Sequence, residues 1–244
     1  MSARKAALEP LRFRGTPGSL SAALREGDAV PRRLPIRLTG KAAEALAAGE
    51  RVARASRQER DLVLQLALPP RTPPGTYEAT VDVDGKERAV VIEVEPEVEL
   101  QIVPDQLTLR AAPGDHTTVP MTFANAGNVP VEIRKAYAFG IFAAGGLERA
   151  LHRAYTGKRA EGERRIDFLF DQLADEHGGV VRVAVEEGSG ALAPGETRDV
   201  RVSFHVPSDL HTGRTYTGTL PLHDLRYYVR LIVSDGKAPP AEPR

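Results

Sequence analysis

Two stretches of the sequence follow the same pattern. Residues 64–94 read LQLALPPRTPPGTYEATVDVDGKERAVVIEV, and residues 200–233 read VRVSFHVPSDLHTGRTYTGTLPLHDLRYYVRLIV. Each begins with alternating apolar residues that stop at a proline, passes through a glycine turn to a Thr-Tyr pair, and closes with an apolar segment. Arg214 is the extra residue in the second copy. Alternation with period two is typical of half-buried strands, so the repeat predicts two copies of one three-strand unit.

The residues between these segments favour turns. The prolines at 69, 70, 73 and 74 cannot donate to a β-ladder and therefore end the strand before them. Gly75 can take the positive φ of a tight turn, and Asp84-Gly85 is a two-residue hairpin signal. Tyr77 and Tyr216 hold equivalent places in the two copies. We expect both rings to be largely buried, each with its hydroxyl pinning a corner of a sandwich.

The length suggests two domains. The chain has 244 residues, of which 41% are hydrophobic and 27% charged, and one β-sandwich takes about 100 residues. Upstream of the repeat, residues 34–38 parallel residues 119–123 in alternation and proline position. We therefore place the first domain at residues 1–99, the second at 100–235 and a disordered tail at 236–244, with the domains meeting near Pro96–Pro104.

Further residues carry a resemblance to a known family. Ala112-Pro113-Gly114-Asp115 precedes VPMTFANAGNVPVEI, and residues 192–197 (LAPGET) precede VRVSFHVP and TYTGTL. This pattern resembles the bacterial immunoglobulin-like (Ig-like) domains appended to surface proteins and to some glycosidases. It covers residues 100–233 well and 31–96 partially. The resemblance implies antiparallel β-sandwiches and no particular activity, because such modules serve as spacers, adhesion units or accessory domains without a shared active site.

The segment at about 140–179 departs from this pattern. Its apolar residues recur at helical spacing, i, i+3, i+4, i+7, which predicts two amphipathic helices separated by a polar loop. These residues are Leu147, Ala150, Leu151 and Ala154, then Ile166, Leu169, Phe170 and Leu173. The expected fold class is therefore all-β: two tandem Ig-like antiparallel β-sandwiches, the second carrying an inserted α-helical hairpin.

The helical insertion is the predicted partner-binding surface. A large apolar side chain gains about 1.5–3 kcal/mol on full burial, so something should cover the helical stripes. Phe168 points off the main stripe and is the expected hydrophobic anchor. The partner-binding residues of this hypothesis are Leu147, Leu151, Ile166, Phe168, Leu169, Phe170 and Leu173.

Charge and composition argue against several classes of partner. Lys plus Arg and Asp plus Glu both total 33, so no overall field attracts nucleic acid. The basic run at residues 51–60 is interpreted as a solvated helix or loop. No segment is apolar enough for a membrane span or an export signal, so we expect a cytoplasmic protein as written. A mature exported form would be periplasmic or at the cell surface.

No motif indicates catalysis, a cofactor or a metal. The sequence has no cysteine and no phosphate-binding or nucleophile motif. Asp171, Asp175 and His177 could converge on a metal, but a solvated polar face is the favoured interpretation. Residues 82–85 (DVDG) open like a calcium loop, but no closing glutamate follows, which favours a hairpin.

Three functional hypotheses follow. The first is a non-enzymatic structural or protein–protein interaction protein that presents the helical insertion to a partner or assembly. The alternative is an accessory module that binds a glycan or cell-wall polymer, although the chain has no tryptophan. The third is a hydrolase with a site at the insertion.

Overall fold

The computed structural model describes residues 9–23, 33–38, 50–58, 61–83, 85–158, 164–223 and 225–235. The chain divides into two compact units. The first comprises Met1–Glu99 with two later segments, Asn125–Val131 and Ala193–Glu196; the second comprises the rest from Leu100 onwards. The predicted tail at 236–244 lies outside the described residues.

The first unit is a β-barrel closed around its own apolar core. Alternation along the strands turns Phe13, Leu34, Ile36, Leu64 and Ile92 inward, where their side chains are fully buried. The strands are β1 (Leu11–Gly15), β2 (Leu20–Ala23), β3 (Arg33–Leu38), β4 (Glu50–Gln58), β5 (Asp61–Leu66), β6 (Gly75–Val83) and β7 (Lys86–Val94). They close in the order β1-β2-β5-β4-β3-β6-β7.

The second unit has an eight-stranded sheet and a two-stranded sheet around a separate core. Ile141, Leu192 and Phe204 are fully buried there. The strands are β8 (Leu100–Val103), β9 (Leu107–Ala111), β10 (His116–Asn125), β11 (Val131–Ile133), β12 (Ala136–Ala143), β13 (His177–Glu187), β14 (Gly190–Leu192), β15 (Thr197–His205), β16 (Thr215–Leu222) and β17 (Leu225–Val233). The large sheet has the order β8-β10-β15-β13-β12-β16-β17-β9, and β11 pairs with β14.

Two helices are inserted between β12 and β13: α1 (Gly146–Thr156) and α2 (Arg165–Asp175). The predicted fold class is thus confirmed as two tandem Ig-like β domains with a helical hairpin in the second. One feature absent from the prediction is a parallel pair in each unit, β1 with β7 and β9 with β17. In the part of the chain that the structure describes, neither helix is long and apolar enough to cross a membrane.

The repeat found in the sequence is structural. Strands β5, β6 and β7 hold the same places in the first sheet as β15, β16 and β17 hold in the second. Val83 pairs with Lys86 across a two-residue turn, in which the Gly85 N–H donates to Asp82 Oδ1 at 2.8 Å. The hairpin interpretation of this segment is therefore confirmed, while Asp84 itself lies outside the described residues.

The two repeat tyrosines both anchor a turn just before their strand. The Tyr77 hydroxyl donates to the Pro73 carbonyl at 2.7 Å, and the Tyr216 hydroxyl accepts from the His211 N–H at 3.2 Å. The tyrosine and its hydrogen-bond partner are four residues apart in the first copy and five apart in the second, because the second copy contains the extra residue Arg214. Tyr216 is buried, as expected, whereas Tyr77 is only half-buried.

The predicted equivalence of residues 34–38 and 119–123 is wrong. The former lie in β3, between β4 and β6, which is the position that β12 occupies between β13 and β16. The latter lie in β10, which pairs with β15 as β2 pairs with β5. All strands share the alternation on which the comparison rested, so alternation alone could not identify which strand was which.

The basic run at residues 51–60 is also not a helix or loop. Up to Gln58 it forms most of β4, and residues 59 and 60 lie outside the described residues. Ala53 is buried in the core, while Val52 and Arg54 point outward. The inward positions hold small alanines, which made the period of two hard to recognise.

We predict that Gly178→Ala destabilises the protein by about 1–3 kcal/mol through overpacking. A Cβ at this position would lie 2.5 Å from Cδ1 of the buried Tyr216 ring and 3.1 Å from Ile141 Cγ1. Denaturant unfolding measures the change. The control is Gly18→Ala, where no atom lies within 4 Å of the added methyl; equal stability of the two variants would contradict the packing argument.

Candidate functional site

The helical hairpin extends directly from a pair of antiparallel strands. In the ladder between β12 and β13, Phe139 pairs with Val181 and Phe142 pairs with His177. Beyond it the Ala143 N–H donates to the Glu176 carbonyl at 2.9 Å. Gly145 takes a left-handed conformation, with φ 67°, as the chain turns into α1. The two ends of the insertion are therefore held together by backbone hydrogen bonding.

A buried carboxylate fixes the base of the hairpin. The Glu176 side chain is only 2% exposed and lies among three arginines. Arg149 donates to both of its oxygens, Nη2 to Oε2 at 2.7 Å and Nε to Oε1 at 3.3 Å. Arg153 Nη1 donates to Oε1 at 3.3 Å, and Arg214 Nη1 lies 3.5 Å from Oε2. The cluster thus joins α1 and the loop before β16 to one carboxylate.

The arginines also set the protonation of Glu176. The hydrogen bond from Arg149 lowers the pKa of the carboxyl group, against the opposing effect of burial, and the charges of Arg149, Arg214 and Arg153 lower it further. The same hydrogen bond raises the pKa of Arg149. Because the three guanidinium groups face one carboxylate, the cluster remains ionised at neutral pH and carries excess positive charge.

The hairpin is packed on itself more than on the domain that carries it. The two helices contact each other, and α1 buries only Gly146, Ala150 and Ala154, while α2 buries no residue completely. Among the described residues, neither hydrophobic core includes any side chain between Ala143 and Val181. Each core is therefore formed without any side chain of the two helices.

Exposed apolar side chains concentrate on the hairpin. Of the twelve large hydrophobic residues that are exposed in the described part of the chain, seven lie on α1, α2 or the two strands that lead to them. We call these seven the hairpin surface: Phe142, Leu147, Leu151, Tyr155, Ile166, Phe170 and Val180. On α1 the exposed residues recur every four positions, as do those on α2, so each set lies along one face of its helix.

A cleft of about 340 Å³ lies at the base of the hairpin surface. Phe142 from β12, Leu147 from α1 and Leu173 from α2 line it, together with Glu176 and Thr217. The Phe142 ring packs edge-on against His177 with the ring centroids 4.9 Å apart. At the other end of the hairpin, the Arg165 guanidinium lies 5.0 Å from the centre of the Tyr155 ring. Apolar residues from three elements therefore meet at the base of the hairpin.

The structure distributes the predicted partner-binding residues unevenly. Four of them are exposed, Leu147, Leu151, Ile166 and Phe170, and three are half-buried, Phe168, Leu169 and Leu173. The Phe168 ring packs against the end of α1, where a Cβ on Gly157 would lie 3.3 Å from its Cε1 atom. Phe170, by contrast, is 62% exposed.

Three members of the hairpin surface are missing from the sequence-based set. Tyr155 follows Leu151 by four residues, so the helical period could have identified it. Phe142 lies between the buried residues Ile141 and Ala143, and Val180 precedes the buried Val181. Strand alternation places both outward, but the sequence alone gave no strand boundaries near the insertion.

The described polar residues of the hairpin are not grouped as metal ligands would be. Asp171, Asp175 and His177 are exposed, and the described residues contain no group of three or more His, Asp or Glu side chains placed to hold a metal ion. Arg164 engages Asp167 through Nε at 2.8 Å, which holds that carboxylate at the start of α2. The hydrolase hypothesis gains no support from this arrangement.

No protein-family model and no curated protein sequence matches the chain. Among solved structures, a protein of unknown function from Porphyromonas gingivalis W83 is 13% identical, with 92% of this chain and 96% of that chain covered and a TM-score of 0.25. Dpr11 IG1 bound to DIP-gamma is 11% identical over 93% and 97%, with a TM-score of 0.31. Titin A168169 is 12% identical over 94% and 98%, with a TM-score of 0.30. Matches at this level carry no argument about function.

We predict that Glu176→Gln lowers the free energy of unfolding at neutral pH by about 1–3 kcal/mol. In the wild type the pKa of Glu176 is lowered by folding, so its stabilisation is complete above the unfolded pKa of about 4.3 and disappears as pH falls through the folded pKa. The stability difference between the two proteins should therefore close on acidification, as measured by denaturant unfolding at several pH values.

The matched control for this prediction is Glu187→Gln. Glu187 pairs with Arg201 at 2.8 Å, but its side chain is exposed, so the loss should be at most about 1 kcal/mol. A stability difference for Glu176→Gln that stays constant from neutral to acid pH would show that the ion cluster does not stabilise the fold.

Proposed function

We propose that this protein is a non-catalytic interaction protein whose tandem Ig-like domains present the helical hairpin to a protein partner, in the manner of the Ig-like modules appended to bacterial surface proteins. The observation that supports this proposal is the concentration of exposed apolar side chains on the hairpin surface. Soluble monomers seldom expose large contiguous apolar patches, and such patches mark interaction sites.

Energetics supports the same conclusion. Phe170, Leu147 and Leu151 are 62%, 57% and 37% exposed, so covering the exposed part of each would stabilise a complex by about 0.5–2 kcal/mol per side chain before the entropy of association is subtracted. The hairpin surface also combines large aromatic rings with flanking arginines, the residue types that dominate binding energy at protein interfaces. Its base is fixed by the Glu176 cluster, so less conformational freedom is lost on binding.

A glycan-binding role is the second candidate. Tyr228 on β17 is exposed beside a groove lined by Gln106, Thr108, Thr217 and Arg230. An exposed ring next to hydroxyl and amide groups is the usual arrangement for a sugar. A glycan array probed with the wild type and Tyr228→Ala tests this candidate.

The test of the main proposal is Leu151→Glu combined with Phe170→Glu. A charge placed in the centre of a desolvated interface should weaken binding by about a hundredfold or more, since burying an unpaired charge costs several kcal/mol. The measurement is co-purification of the partner with the tagged protein from its native cells, followed by titration of the purified pair.

Leu225→Glu is the matched control, because Leu151 and Leu225 are the same residue type and both are 37% exposed. It should bind like the wild type. Loss of the partner by the control, or retention of the partner by the double variant, would contradict the proposal.

A further inference from the structure

A row of polar side chains crosses the outer face of the first unit. Cross-strand pairing places Arg33 of β3 opposite Arg54 of β4, Arg54 opposite Gln65 of β5, and Gln65 opposite Ser21 of β2. All four side chains are exposed. Neighbouring strands lie about 4.8 Å apart, so these residues form a continuous strip across four strands. We call these four residues the basic strip.

The two arginines of the basic strip are unusual because they repel each other. Like charges directly opposite on neighbouring strands destabilise a sheet. Two other exposed arginines of this unit have acidic partners: Arg14 pairs with Glu95 at 2.7 Å, and Arg12 pairs with Glu93 at 3.6 Å. Within the described ranges, Arg33 and Arg54 make no hydrogen bond or ion pair. No described acidic side chain therefore competes with an external anion for these two guanidinium groups.

A groove of about 630 Å³ runs beside Arg54. Ser19, Ser21 and Gln65 line it with hydroxyl and amide groups, and Val52, which is 47% exposed, adds an apolar side chain. The groove thus offers hydrogen-bonding groups suited to a peptide backbone, a small apolar contact and a cation at its edge.

The geometry points to a binding site for a carboxylate-rich polypeptide segment along the basic strip, with Arg33 and Arg54 holding its acidic side chains. Guanidinium groups bind carboxylates in a bidentate manner and pair strongly with them. An acidic segment would also neutralise the repulsion between the two arginines. This site lies on the first unit and does not depend on the function proposed for the hairpin.

The lining of the groove favours a polypeptide over an anionic polysaccharide. Sugar rings are usually held by stacking on aromatic side chains, and none of the residues of the basic strip or of the described groove lining is aromatic. Val52 instead offers an exposed apolar side chain that an aliphatic side chain of a peptide could contact.

The experiment uses the full chain and a fluorescein-labelled peptide of alternating glutamate and valine, with a lysine–valine peptide of equal length as the charge control. We expect the glutamate peptide to bind in a salt-sensitive manner, measured by fluorescence anisotropy, and the lysine peptide not to bind. The double variant Arg33→Gln and Arg54→Gln should weaken binding by about tenfold or more. Its thermal unfolding temperature should equal or exceed that of the wild type, because the like-charge pair is gone.

Two further variants make the result specific. Arg110→Gln with Arg226→Gln removes two exposed arginines from the second unit and should leave the affinity unchanged. Arg33→Lys with Arg54→Lys keeps the charge but loses the bidentate geometry, and should bind the glutamate peptide with intermediate affinity. If the glutamine variant fails to fold, this lysine variant takes its place in the test.

Several outcomes would overturn the inference. These are no binding of the glutamate peptide, equal binding of both peptides, or an equal loss of affinity in the second-unit variant. Heparin serves as an anionic polysaccharide probe. If heparin binds through Arg33 and Arg54 while the glutamate peptide does not, the occupant is a polysaccharide and the assignment to a polypeptide is wrong.

Discussion

The burial of apolar side chains in a separate core in each unit is the constraint on which the rest of this structure depends. Strand alternation sends Phe13, Ile36 and Ile92 into one core and Ile141, Leu192 and Phe204 into the other. Both cores are complete without the helices. An insertion between β12 and β13 can therefore present apolar residues to the outside while the domain that carries it stays folded.

The hairpin then needs its own means of attachment, and the Glu176 cluster supplies it. A buried carboxylate held by Arg149 and Arg153 fixes the direction in which α1 leaves the sheet, without burying the large side chains of either helix. Because ion pairs hold the hairpin to the sheet, those side chains stay exposed. Apolar packing of the hairpin on the sheet would instead have buried the leucines and phenylalanines that form the hairpin surface.

Much of this organisation could be predicted from the sequence. The repeat around Tyr77 and Tyr216 identified the last three strands of each domain, and helical spacing identified α1 and α2, because both signals are local and periodic. The identity of β3 and β10 and the strand character of residues 51–58 depended on long-range pairing, which one-dimensional alternation does not encode. Likewise, Phe168 and Phe170 differ in exposure because of how the helices contact each other, which their spacing does not determine.

The central claim is that the hairpin is a presented surface and not part of a core. The most direct measurement is denaturant unfolding of a protein in which Leu147–Asp175 is replaced by a short glycine linker, which the hydrogen bond between Ala143 and Glu176 makes sterically feasible. We predict that the deletion protein folds cooperatively, retains most of the wild-type stability and no longer binds the partner. A deletion protein that is unfolded in the absence of denaturant would contradict it.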